Sequence, residues 1–164
     1  MEIREILSLR KDHLNRLSNT YGASGERLAI EVHSNWIQRP KGEELTNILS
    51  VLEEKKVVIK RSSFDAIAIP SVIEIDFKNC DSIREHIDSF IFIEIKTTNK
   101  ASVNDDFSGY FFAFTEGELS AAEQLGERHR VALVNKRTEH IIMSSVPELI
   151  ARAKSLNWQV SVQL

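Results

Sequence analysis

Phe90-Ile91-Phe92-Ile93-Glu94-Ile95-Lys96 is the stretch on which the reading of this chain turns. Its unbroken apolar start predicts a strand buried on both faces of a sheet. Its end is different: side chains alternate along a strand, so Glu94 and Lys96 share one face. A carboxylate and an ammonium at the end of a hydrophobic strand are costly unless they are paired or used.

Upstream, Phe64-Asp65-Ala66-Ile67-Ala68-Ile69 is a second short apolar run, ended by Pro70. If these two strands pair antiparallel, the start of one lies opposite the end of the other, and Asp65 meets Glu94 and Lys96. Asp76 is the competing acid, but it follows Val72-Ile73-Glu74-Ile75, whose pairing sets it opposite Phe90. Geometry favours Asp65 and leaves Asp76 as the alternative. Two carboxylates and a lysine at one point suit metal-dependent phosphodiester hydrolysis. Hard oxygen ligands take Mg²⁺ with one or two protein carboxylates, and the ion polarises a phosphoryl oxygen and acidifies a bound water. The same residues also suit plainer roles, with Glu94 and Lys96 as a cross-strand charge pair and Asp65 as a turn or cap.

Around this centre the chain reads as helices, then strands, then strand-helix-strand. Ile3, Ile6, Leu7, Leu14 and Leu17 predict a first helix, and Leu28, Ile30, Val32, Trp36 and Ile37 a second. A third helix spans Glu43 to Leu52. Val57-Val58-Ile59 predicts a strand, with Val72–Ile75 extending or following the Phe64 strand. Tyr110–Phe114, Val131–Val134 and Ile141–Met143 predict further strands. Thr115 with Glu118 three residues later forms a capping box for a helix closed by Gly126. Pro147 opens a last helix through Lys154, and Trp158–Gln163 reads as a strand closing the sheet. The expectation is a mixed α/β fold, in which 1–55 form a helical N-terminal part, 56–145 a catalytic core and 146–164 a C-terminal helix and strand of one domain.

The chain has 164 residues, 42% hydrophobic and 27% charged, which suits a globular domain. A net charge of -3 excludes a wholly basic nucleic-acid coat, so any DNA contact must come from a local patch. Arg128, Arg130 and Lys100 are the candidates for it. The single cysteine, Cys80, excludes an internal disulfide framework and fits a reducing cytoplasm. No secretory signal is visible after Met1, and no apolar run is long enough to span a membrane.

Asp65, followed after 28 intervening residues by Glu94-Ile95-Lys96, resembles the D…(D/E)-x-K signature of the restriction-endonuclease-like (PD-(D/E)xK) nuclease superfamily. The segment from Tyr110 through the Thr115 helix to Asn135 is similar to the strand-helix-strand that follows this motif in restriction nuclease domains. The resemblance covers roughly residues 55–145, and this chain departs from it in having no proline before Asp65 and a long Asp-to-Glu spacing, with an insert at 70–89. It implies a restriction-endonuclease-like core, a central mixed β-sheet flanked by helices. It implies that Asp65 and Glu94 ligate Mg²⁺, for which Mn²⁺ substitutes, with the backbone carbonyl of Ile95 as a further ligand. Lys96 would orient the nucleophilic water, and a preceding helix would supply another acid, Glu31 before Glu26. The implied activity is that of a DNA endonuclease of a restriction-modification or related defence system. With little chain left over, loops 70–89 and 99–108 would read the target. Otherwise recognition falls to a homodimer or a larger DNA-recognition subunit. The alternatives are a catalytically inert nuclease-fold module for DNA binding or assembly, and a small α/β interaction protein.

Overall fold

The computed structural model describes residues 35–69, 73–157 and 159–164. The helices expected over Ile3–Leu17 and from Leu28 lie outside the described residues except at the end of the second. There Trp36 and Ile37 are not helical: β1 (Trp36–Gln38) is a strand. It pairs antiparallel with β2 (Ala66–Ala68), Trp36 opposite Ala68. Helical spacing in the sequence yields to a partner some thirty residues downstream.

Five strands form one sheet in the order β1-β2-β3-β4-β5. The central strand, β3 (Ile91–Thr98), runs antiparallel to β2 with Ala66 opposite Ile93, as the position of Asp65 requires. On its other side β3 runs parallel to β4 (His129–Asn135), and β4 pairs antiparallel with β5 (His140–Ser144). The parallel pair needs a crossover. It is supplied by α3 (Glu116–Leu125), whose capping box is formed by Thr115 and Glu118 as the sequence predicts. The other helices are α1 (Gly42–Glu54), α2 (Cys80–His86) and α4 (Val146–Arg152). The chain is thus a mixed α/β fold, a five-stranded mixed sheet flanked by helices.

Alternation sorts the side chains of β3 and β4 between two faces. One face packs Ile93, Ile95, Ala132 and Val134 with Trp36 and Ala66. The other carries two apolar clusters. Phe64, Ile67 and Phe92 meet Ile48 and Leu52 of α1, Ile83 of α2 and Leu125 of α3. Val131 and Leu133 meet Val103, Phe107 and Val146, with Leu119 and Ala122 of α3 beside them. Glu94 and Lys96 emerge on this second face, on the strand segment between Phe92 and the end of β3.

Several predicted strands are absent. Val57–Ile59 is not a strand, because the amide N–H and carbonyl of Val58 pair with the Gln124 side chain at 2.6 and 2.7 Å rather than with a ladder. Ile73–Ile75 forms no strand, and Pro70 and Val72 lie outside the described residues. Tyr110–Phe114 is irregular, with the Tyr110, Phe112 and Phe114 rings packed in series, centroids 5.0 and 5.3 Å apart. Residues 159–163 form no strand closing the sheet, and Trp158 lies outside the described residues. The 70–89 segment is no open reading loop throughout: it contains α2, capped by the Asn79 side chain on the Asp81 amide, and Ile83 and Ile87 are fully buried.

Candidate functional site

Asp65 stands just before β2, at the point where its pairing with β3 begins. Its backbone amide donates to the Ile93 carbonyl at 2.8 Å, and its Oδ2 accepts the Ile95 amide at 2.8 Å. The short strand therefore delivers the carboxylate to the β3 backbone between Glu94 and Lys96. Arg39, beyond β1, donates its guanidinium to the Phe64 carbonyl at 2.6 Å and adds positive charge near Asp65.

Glu94 is buried at 4% exposure. Its Oε1 accepts the Lys96 ammonium at 2.8 Å, whereas its Oε2 is buried with no hydrogen-bond partner. Burial raises the Glu94 pKa well above the usual carboxylate range, and the Asp65 charge raises it further, against the opposing pull of Lys96. Burial likewise raises the Asp65 pKa, although the Ile95 amide, Arg39 and Lys96 oppose it. The two carboxyls are close enough to hydrogen bond when one is protonated. This is the like-charge arrangement that retains a proton or recruits a cation.

Lys96 is held from two sides. Its Nζ lies 2.8 Å from Glu94 Oε1 and 2.8 Å from Glu118 Oε2. It also sits 5.2 Å from the centroid of the Phe114 ring, within cation–π range. Burial alone would lower the ammonium pKa, but Glu94 and Glu118 outweigh it and hold the group charged above the usual lysine value.

His129, at the start of β4 and 2% exposed, completes the polar floor. Neither ring nitrogen has a hydrogen-bond partner, and burial pushes its pKa down to about 4, so the ring is neutral.

The structure thus brings Asp65, Glu94 and Lys96 together, with the Ile95 backbone between them. It does not bring Asp76 to them: that residue is exposed, and its carboxylate accepts the Lys78 amide at 3.0 Å in the approach to α2. Glu31 and Glu26 lie outside the described residues. The three proposed DNA-contact cations do not converge on the acids. Arg128 donates to the Ile87 carbonyl at 2.9 Å. Arg130 lies opposite Ile93 in the register and so projects from the far face. Lys100 is exposed in the turn beyond β3.

Glu118 is the residue that sequence reasoning missed. Its place at the third position of a capping box accounts for it locally, which hid its second contact. Among the described residues no group of three His, Cys, Asp or Glu side chains is assembled to hold a metal ion. The oxygens on offer are two carboxylates and the backbone. Nor is any described helix long and apolar enough to cross a membrane. Comparison with family models, with curated proteins and with solved structures finds no match to this chain.

Proposed function

We propose that this chain is a metal-dependent endonuclease that hydrolyses DNA phosphodiester bonds on a restriction-endonuclease-like core. The observation that supports it best is the meeting of the Asp65 and Glu94 carboxyls with the Lys96 ammonium, from two antiparallel strands, in one buried polar cluster. Like charges facing one another, one of them with a buried oxygen lacking any partner, suit a hard divalent cation. Asp65, Glu94 and the Ile95 carbonyl would hold Mg²⁺ or Mn²⁺. When bound, such an ion supplies Lewis-acid polarisation of a phosphoryl oxygen and an acidified water.

The remaining work belongs to the chain. The Ile95 amide fixes the orientation of Asp65 through Oδ2, which would leave its second oxygen for the ion. Lys96, kept charged by its two carboxylate partners, donates to the attacking water or to a phosphate oxygen and stabilises the negative charge that grows there. Packing of Phe92 and Phe114 near these groups lowers the local dielectric and strengthens each interaction. Arg39, beside Asp65, is better placed than Arg128 or Arg130 to contact a neighbouring phosphate. Cutting both strands calls for two such sites, hence a homodimer or a larger recognition subunit, as in a cytoplasmic restriction or defence system.

The test is incubation of supercoiled plasmid with Mg²⁺, Mn²⁺ or EDTA, using wild type and Lys96→Ala, with a structured RNA as a second substrate. Metal-dependent nicking or linearisation that Lys96→Ala abolishes is the expected result. Intact plasmid in every metal, with DNA binding retained, would assign the chain to the inert nuclease-fold modules instead.

A further inference from the structure

Three acidic side chains surround Lys96, and two of them are explained by metal ligation; the third, Glu118, is not. It comes from α3 rather than from the strands, and it is buried at 7% exposure. Its Oε2 accepts two donors, the Thr115 backbone amide at 2.9 Å and Lys96 Nζ at 2.8 Å. The Thr115 Oγ in return accepts the Glu118 amide at 3.2 Å. The capping box alone needs one acceptor oxygen, which a solvent-exposed glutamate supplies equally well. Here the box is turned inward, and its carboxylate is spent on a buried ammonium.

An ammonium has three N–H donors. Two are taken by Glu94 Oε1 and Glu118 Oε2, which approach from β3 and from α3. A lysine tethered only to Glu94, two residues away on its own strand, would be held at its charged end by a single carboxylate. A second anchor on a capped helix turn fixes the direction of the third N–H.

We infer that Glu118 is a positioning residue for Lys96, locking its ammonium beside Glu94 with one N–H directed at the reacting phosphate or water. It does not touch the substrate. Its catalytic consequence rests on the nuclease reading, while the clamp itself can be observed without turnover.

The experiment compares wild type with Glu118→Gln, which keeps the volume and an acceptor for the Thr115 amide but removes the charge. Lysine-ammonium ¹H–¹⁵N correlation spectra should show a slowly exchanging Lys96 signal in wild type, identified by its absence in Lys96→Ala and broadened away in Glu118→Gln. In the plasmid assay kcat should fall by about 10- to 100-fold with KM nearly unchanged, the scale expected for a misplaced reacting group. The melting temperature should move by only a few degrees. If Glu118→Gln does not fold, Glu118→Asp, which withdraws the carboxylate by one methylene, should show the same pattern. An ammonium signal that persists in the variant would overturn the inference, as would unchanged kcat or a loss that merely follows the unfolded fraction. Should wild type cleave nothing while the signal responds as stated, the nuclease reading fails, and the positioning role with it, leaving an ion pair that ties α3 to the sheet.

Discussion

Two sets of ion pairs in this molecule are built from the same chemistry and do opposite things. On the surface, Arg84 of α2 bridges to Glu54 of α1 at 2.8 Å and to Asp81 on its own helix, and Lys55 reaches Asp88 at 2.6 Å. Each cation there has its acid within reach and water around it. In the interior, three carboxyls (Asp65, Glu94 and Glu118) surround the one ammonium of Lys96. The surface set, two cations with three acids, lies in water that screens its excess charge, and it costs the protein little. The buried set has no such screening, and a fold tolerates a buried excess of negative charge only where it is neutralised by protons or by a bound cation.

The sharpest way to break the contrast is to remove the cation from each set. Lys96→Ala should lower plasmid cleavage by about 10³-fold, the upper range for losing one preorganised donor. It should also destabilise the protein by about 3 kcal/mol in a urea titration, since it strands buried carboxylates. Retention of both activity and stability would show that the interior set resembles the surface one.

His129 gives the next largest effect. Its folded pKa of about 4 lies below the ordinary 6.5. Between those values the unfolded chain takes up a proton that the folded ring refuses, so the contribution of His129 to stability falls as pH drops through that window and is level above it. A shift of that size corresponds to about 3 kcal/mol at most. Asp65 and Glu94, whose carboxyl pKa values are raised, contribute a slope of the opposite sign, so the readout is a difference: from pH 7 to pH 4 the urea midpoint of wild type should fall relative to that of His129→Leu.

A smaller effect has the opposite sign. Glu94→Gln should abolish metal-dependent cleavage yet raise stability in EDTA by about 1–2 kcal/mol. It removes the charge repelled by Asp65 and puts an amide donor within hydrogen-bonding reach of the Asp65 carboxylate. Thermal melting with and without Mg²⁺ checks it: wild type should gain from the ion, and the variant should not. The smallest effect is at the surface, where Arg84→Ala should leave both cleavage and melting temperature essentially unchanged, because exposed pairs contribute little.

The same contrast explains what could be read from residue order. The central strand was legible because Phe90–Ile95 is apolar enough to need burial on both faces, and the Thr115 helix because its capping box is a local rule. Asp65 could be placed opposite Glu94 once antiparallel pairing was assumed. Long-range partners were not legible. Trp36 and Ile37 follow a helical spacing, yet they pair with Ala68 and Ile67. Tyr110–Phe114 has the residues of a strand, but its rings find one another and the Val131 cluster without any ladder. For α2 a signal was present, in Asn79 as a cap and Ile83 with Ile87 four residues on. Glu118 escaped notice because a local role was sufficient to explain it.

The bond between Gln124 and Val58 has a consequence for how the segment after α1 is held. Val57-Val58-Ile59 is a β-branched run whose backbone groups would pair readily with another extended chain, and the Val57 amide is already turned back onto the Leu52 carbonyl at 2.9 Å. One side-chain amide occupies both groups of Val58, imitating a neighbouring strand with a single glutamine. The protein thereby keeps this run out of any ladder by a bond from a helix sixty-six residues away, and Gln124 ties α3 to the segment that follows α1.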